Sequence, residues 1–279
     1  MLINSKNLFE EAKKRERAVI QFNVSSYSWI RCALESANEC KSPIILGFTE
    51  ATINYLGGVN VVYNIVKNLI IDLDIEIDVV LHLDKGSSFE VCHDCIDAGF
   101  TSIMVNGANL ALDDNIKLVN EVIEYAYSRN VTVEASIGLI GKPYEKIDSN
   151  NYTKLGEVKK LVADTHVDSV APSFGNGYGF YKKKPNFDYE LLKNISDDTL
   201  VPLTFHGASD VDDKELTKVI KCGVAKLVFG TELEDDWVYE IRRFLKKNKE
   251  VYDPQEVLNS GDKVLKEIMK SKIKKFYND

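Results

Sequence analysis

The stretch Asp78–Val105, DVVLHLDKGSSFEVCHDCIDAGFTSIMV, decides the fold of this chain. It opens with a short apolar, β-branched run, Asp78–Leu83. A polar loop follows, Asp84-Lys85-Gly86-Ser87-Ser88. An amphipathic helix candidate, Phe89–Ala98, then leads to a second apolar run, Ser102–Val105. Strand, loop, helix and strand within about thirty residues make a βαβ unit, whose crossover lays the two strands parallel.

The same alternation extends in both directions. Further strand candidates are Ala18–Phe22 and Pro43–Phe48 upstream, then Val131–Ile137, Ser169–Pro172, Pro202–Phe205 and Lys226–Gly230 downstream. Helix candidates between them are Ser28–Cys40, Asn60–Ile71, Asp113–Ser128, Leu155–Thr165, Asp188–Ile195 and Asp212–Cys222. Asp235–Lys247 follows the last strand, and Pro254–Tyr277 reads as one or two more helices. Eight strands with helical crossovers favour a closed (β/α)8 TIM barrel over an open sheet. No Gly-x-Gly-x-x-Gly opens the first unit, so the dinucleotide-binding signature is absent. The 279 residues suit one such barrel, which typically takes about 250. No linker or composition break divides the chain, so residues 1–279 read as a single TIM-barrel domain with extra C-terminal helices.

Composition narrows the function. Lys and Arg total 35 against 43 Asp and Glu, a net charge of −8. That balance argues against nucleic acid as a partner, because phosphate-backbone binding needs a basic face. It leaves room for a small phosphorylated ligand held by one local cluster. The segment Met1–Lys14 has no apolar core of signal-peptide length, and no apolar run is long enough to cross a bilayer. A cytoplasmic location without membrane contact is expected. Five scattered cysteines read as free thiols in a reducing compartment. Cys92-His93-Asp94-Cys95 looks like a metal knuckle, but no second Cys/His pair stands at useful spacing; the four residues read as part of a helix.

In a barrel of this kind, chemistry collects where strands end and βα loops begin. The residues there are Asn23, Thr49-Glu50, Asp84–Ser88, Asn106-Gly107, Gly138–Glu145, Gly175–Lys184, His206–Ser209 and Gly230–Glu232. Glycine, hydroxyl and charged residues dominate. Glycines admit a close anion, and convergent backbone N–H groups form an anion nest. The irregular loop Gly138–Tyr152 is long enough to be functional.

These residues resemble class II ketose-bisphosphate aldolases, the fructose- and tagatose-bisphosphate enzymes. The resemblance is carried in order by Phe22-Asn23-Val24, His82-Leu83-Asp84, Gly86-Ser87-Ser88, Asp97–Ser102, Gly179-Phe180-Tyr181-Lys182, Phe205-His206-Gly207, Ala225-Lys226 and Thr231-Glu232-Leu233. It covers the chain from about Met1 to Arg243. It implies a phosphate site on Gly179, Gly207, Ser209 and Thr231 with Lys182 nearby, and substrate contacts from Asn23 and Thr49. It also implies an oligomer, with a homodimer as the first expectation.

The departures from the family pattern are chemical. The resemblance implies a catalytic zinc held mainly by three histidines. Lys85 stands at the first of those positions and Tyr178 at the second; His206 is retained at the third. A strand-five glutamate that approaches the metal is Ser136 here, although Glu134 remains. A substrate-contacting asparagine on strand eight is Val228, and a polar residue is Gly230. The acid/base glutamate of the strand-five loop aligns with Tyr144, next to Glu145. His82, His93 and His166 read as structural or surface residues. A catalytic zinc needs about three protein ligands, so no cofactor is expected.

A carbonyl can be made an electron sink by a Lewis-acid metal or by a lysine Schiff base. Lysine is longer than histidine and can reach the carbonyl itself. The expectation is therefore a metal-independent aldolase, or a transaldolase-like transferase of three-carbon units. Its substrate would be a phosphorylated ketose or a dihydroxyacetone phosphate-like compound. Lys85 would form the imine, Asp84 would be the acid/base, Tyr178 would donate or relay a proton, and His206 would orient Tyr178 or a substrate hydroxyl. Partial burial and a neighbouring Lys182 are expected to lower the affinity of Lys85 for its proton, with Asp84 pulling the other way. Two other readings stand beside it: an inactive sugar-phosphate binder in which Lys85 only pairs with Asp84, and a metal-dependent aldolase with unusual ligands.

Overall fold

The computed structural model describes residues 1–141 and 148–278. Its centre is a closed barrel of eight parallel strands in sequence order. The strands are β1 (Val19–Asn23), β2 (Ile44–Phe48), β3 (Val79–Gly86), β4 (Ser102–Val105), β5 (Thr132–Ile137), β6 (Ser169–Pro172), β7 (Leu203–His206) and β8 (Val224–Phe229). β1 closes the ring on β8, with Gln21 opposite Val228. The TIM barrel expected from the alternation is therefore present.

The helices are α1 (Lys6–Lys14), α2 (Tyr27–Glu39), α3 (Glu50–Leu56), α4 (Val59–Asp72), α5 (Phe89–Ala98), α6 (Leu112–Tyr127), α7 (Leu155–Thr165), α8 (Tyr189–Thr199), α9 (Asp213–Lys221), α10 (Thr231–Lys247) and α11 (Pro254–Ile273). Sequence reading missed α1 and α3. Both are short, and an isolated helix of that length is marginal without tertiary packing. α1 buries Leu8, Phe9 and Ala12 against Val19, Ile45, Val80 and Ala225, closing the lower end of the barrel. α3 is started by Thr49, whose Oγ1 accepts from Thr52 N at 3.1 Å.

Other boundaries move by a few residues. The expected strand Lys226–Gly230 is Val224–Phe229, and Gly230 is instead the N-cap of α10. α10 begins at Thr231 rather than Asp235. Asp84, Lys85 and Gly86, read as a loop after the strand, lie within β3. The last strand residues pair past an irregularity, with Gly86 opposite Val105. After α11, Lys274–Asn278 turns back under the barrel, where Phe276 O accepts from Ala18 N at 2.9 Å.

Side chains alternate along each strand, and the two faces differ in chemistry. Ile20, Phe22, Leu46, Leu81, Val133, Phe205 and Leu227 point outward into one continuous core beneath the helices. The inward positions above the apolar plug are polar: Gln21, His82, Glu134, Thr204 and Lys226 are all at most 1 % exposed. Lone polar groups in such strands persist only when paired. The inner face therefore carries the site.

Cys92 and Cys95 are buried on α5, and burial pushes both thiols up to about 12. They are inert protonated thiols. Among the described residues, no helix is long and apolar enough to cross a membrane.

Candidate active site

Asp84 is the focus of the upper barrel. It is 4 % exposed on β3. Its Oδ2 accepts from Asn23 Nδ2 at 2.7 Å and from Gln21 Nε2 at 3.1 Å. Its Oδ1 has no hydrogen-bond partner. Burial by itself would raise the carboxyl, but neighbouring His206 and Lys85 hold it below the ordinary aspartate value. Asp84 is thus a carboxylate with one oxygen fixed and one free to accept a proton.

Lys85 follows it with a half-buried side chain. Its Nζ hydrogen-bonds Tyr178 Oη and lies 3.7 Å from the centre of that ring. Burial lowers the amine from its usual 10.5, against opposing pulls from Asp84 and Glu134. Lys182 takes no part in this balance; it is exposed on the loop after β6. Of the two expected causes, burial acts and Lys182 does not, while Asp84 opposes as expected. Tyr178 is held in its neutral form, because burial and the carboxylates of Asp84 and Glu134 all oppose its ionisation.

His206 ends β7, 1 % exposed. Nε2 lies 2.8 Å from Glu134 Oε1, and Nδ1 lies 3.7 Å from Asp84 Oδ1. Its ring meets Tyr178 edge-on at 6.4 Å, so it supports Tyr178 by packing. Glu134, on β5, also takes a hydrogen bond from Thr204 Oγ1 at 2.9 Å and pairs with Lys226 Nζ at 2.6 Å. Burial opposes its charge, yet Lys226 and His206 hold it far below the ordinary glutamate value.

The loops after β6, β7 and β8 are tied beside this cluster. Gly207 takes φ +87°, and a Cβ there would stand 2.0 Å from Gly177 O. Tyr181 Oη donates to Gly207 O at 2.9 Å and accepts from Gly177 N at 3.0 Å. Ser209 Oγ accepts from Gly230 N at 3.2 Å, next to Thr231. Gly179 also has positive φ, +72°. These loops carry the glycines and hydroxyls that the aldolase resemblance implies for a phosphate. Thr49 follows β2, whose Phe48 pairs with Leu83, and its hydroxyl serves the first turn of α3. Tyr144 and Glu145 lie outside the described residues.

His82 is structural. Its Nδ1 meets Ser102 Oγ at 2.9 Å, and burial pushes the ring down to about 3, so it is neutral. His93 and His166 sit on helix α5 and at the end of α7, away from the cluster. Sequence reasoning missed Gln21 and Lys226 as site residues, and treated Glu134 only as a neighbour of a lost ligand. The signal was available: each is a lone long polar residue in an apolar strand, at an inward position.

Residues 3–279 match the family of class II fructose-bisphosphate aldolases. The chain is 36 % identical over 275 residues to the 6-phospho-5-dehydro-2-deoxy-D-gluconate aldolase of Bacillus licheniformis, covering 98 % of this chain and 94 % of that one. It is 35 % identical over 277 residues to the fructose-bisphosphate aldolase of Geobacillus stearothermophilus, covering 99 % and 96 %. Among solved structures, it is similar to the YdjI aldolase of Escherichia coli K12 with a TM-score of 0.87 and 26 % identity, covering 100 % and 98 %.

These relationships correct the expectation that no cofactor is required. Class II aldolases are zinc-dependent, and membership points to a metal cofactor. The residues at the family's ligand positions do not themselves fit that ion. Lys85 and Tyr178 bond each other, and His206 Nε2 is engaged by Glu134. Only His206 Nδ1 and Asp84 Oδ1 face one another without a bond, short of the three protein ligands of a catalytic zinc. Among the described residues, no group of three His, Cys, Asp or Glu side chains is placed to hold an ion. The fold, the matched sequence and the full-length relatives agree: this chain belongs to the class II fructose-bisphosphate aldolase family and is an aldolase-type enzyme.

Proposed function

We propose that the chain makes and breaks a carbon–carbon bond beside the carbonyl of a phosphorylated ketose or keto acid, with Lys85 forming a Schiff base to that carbonyl. The observation that carries this reading is the pairing of two groups. Lys85 is an amine whose charged form is disfavoured by burial, and Asp84 beside it keeps one unclaimed carboxylate oxygen.

The chemistry balances within these residues. The neutral Lys85 amine attacks the carbonyl, and loss of water leaves an iminium. Asp84 Oδ1 takes the proton of the hydroxyl on the far carbon of the bond to be broken. That bond then releases an aldehyde, and its electron pair passes to the iminium to give an enamine. Protonation of the enamine and hydrolysis free the amine again. Attack of the enamine on a different aldehyde would give three-carbon transfer. Tyr178, neutral and bonded to Lys85 Nζ, would donate to the departing carbonyl oxygen. Gly207, Ser209 and Thr231, with Gly179 and Lys182 alongside, would hold the phosphate, and Asn23 would position Asp84 and a substrate hydroxyl together. The names of the relatives support phosphorylated sugars and sugar acids as the compounds to try first.

The test uses the protein as purified, treated with borohydride and dihydroxyacetone phosphate, fructose 6-phosphate or fructose 1,6-bisphosphate, and read by mass spectrometry. A substrate-sized adduct on Lys85, lost in Lys85→Ala, is the expected result. Turnover without any adduct would overturn the lysine's role.

A further inference from the structure

Beneath Asp84 lies a buried relay that the reaction as written does not use. Lys226 is fully buried on β8. Its Nζ pairs with Glu134 Oε2 at 2.6 Å and donates to Gln21 Oε1 at 2.9 Å. An ammonium can only donate, so it fixes which end of the Gln21 amide it meets. With Oε1 turned toward Lys226, Gln21 Nε2 must face the other way. There it donates to Asp84 Oδ2 at 3.1 Å and to Asn23 Oδ1 at 2.9 Å. The second bond fixes the Asn23 amide in turn, so that Asn23 Nδ2 also points at Asp84 Oδ2. Gly47 on β2 makes this possible: a Cβ there would lie 2.3 Å from Asn23 Oδ1 and 2.4 Å from Gln21 Nε2.

A second arm runs through Glu134. One carboxylate oxygen is taken by Lys226, and the other accepts from Thr204 and meets His206 Nε2. That contact turns His206 Nδ1 toward Asp84 Oδ1. Both arms start at one cation and end on one carboxylate.

We infer that Lys226 is a positioning residue that sets the polarity of both arms, directing two amide donors onto Asp84 Oδ2 and leaving Oδ1 as the proton-accepting oxygen. This rests on the proton-transfer role of Asp84 given above. Without the cation, the Gln21 amide is oriented only from its Asp84 end, and its Oε1 is left buried without a donor. A flip that gives Oε1 another donor would turn an acceptor on the carboxylate and take a donor from Oδ2.

The probe is dihydroxyacetone phosphate, read in two ways. Borohydride trapping reports the imine at Lys85. Deuterium exchange at the carbon beside the carbonyl, followed by NMR, reports the proton step at Asp84. In that step the carbon–hydrogen pair becomes the enamine double bond, and the proton moves to Oδ1. Lys226→Met is combined with Glu134→Gln, so that no unpaired charge is left buried. Gln21→Met, which leaves Lys226 and Glu134 paired, is the second variant. The expected result is exchange slowed at least about tenfold in both variants, with trapping at Lys85 retained. Exchange within about twofold of the unaltered protein overturns the inference, as does equal loss of trapping and exchange. If the paired variant does not fold by circular dichroism, Gln21→Met decides by the same criterion. In the unaltered protein, exchange without an adduct sinks the Schiff base alone, and the Lys226 comparison is still read from exchange. Absence of both overturns both proposals.

Discussion

At the scale of the residue, Lys85 and Asp84 show how neighbours on one strand acquire opposite tasks. Burial acts on both, disfavouring charge. For Asp84 the surrounding cations and amide donors outweigh it, and the group stays ionised. For Lys85 the carboxylates do not outweigh it, and the amine is easier to deprotonate than a free lysine. This sets a pH dependence. The rate of trapping at Lys85 should rise with pH as the ammonium is lost, with its midpoint below the ordinary 10.5. Lys85→Arg keeps a cation at neutral pH and should give no adduct at any pH. A midpoint at or above 10.5 in the unaltered protein would count against desolvation as the activating cause.

At the scale of the element, the loops after β6 and β7 depend on contacts too close for any side chain. Gly207 lies under Gly177, and Tyr181 clamps both. Gly207→Ala combines a positive φ with a Cβ 2.0 Å from a backbone oxygen. The expected cost is about 2 kcal/mol, seen as a fall in Tm of roughly 4–8 °C. Competition by inorganic phosphate against dihydroxyacetone phosphate should weaken at the same time. An unchanged Tm with an unchanged phosphate effect would show that this turn does not shape the phosphate wall. The same scale explains the helices that sequence reading missed. α1 carries its apolar stripe on only nine residues, and its stability comes from plugging the barrel rather than from its own pattern.

At the scale of the whole molecule, the polar layer inside the barrel couples stability to acid. His82 is held neutral, down to about 3, chiefly by burial. Below its ordinary 6.5 the unfolded chain takes up a proton that the folded one does not, so stability falls as pH drops. Glu134 adds to this at lower pH. Its folded value is depressed, so its contribution is complete above the ordinary 4.5 and is lost as pH falls below it. Urea midpoints should therefore decline from pH 6.5 downward, by up to about 1.4 kcal/mol per unit for one proton. His82→Leu should flatten the slope between pH 6.5 and 4.5. A slope unchanged by that substitution would assign the acid sensitivity elsewhere. Lys226→Met alone should be severely destabilising, by ~3–5 kcal/mol, because Glu134 then loses its buried partner.

The sequence by itself determined the barrel, because its strands and helices alternate with two distinct periods that any reader can follow from Asp78 to Val105 and outward. The resemblance carried by its ordered motifs also named Asp84 and Lys85 on β3, Tyr178 in the loop after β6 and His206 at the end of β7. Tertiary structure alone decided what lies below them. Gln21, Glu134 and Lys226 come from β1, β5 and β8, more than a hundred residues apart in part. Nothing local in the chain relates them. They meet only because barrel closure brings the inward faces of all eight strands to one axis, where a buried charge must find its partner. Partial burial of Lys85 was expected from the sequence, but that it outweighs Asp84 and Glu134, with Lys182 exposed and taking no part, is a property of the assembled fold that no single segment carries.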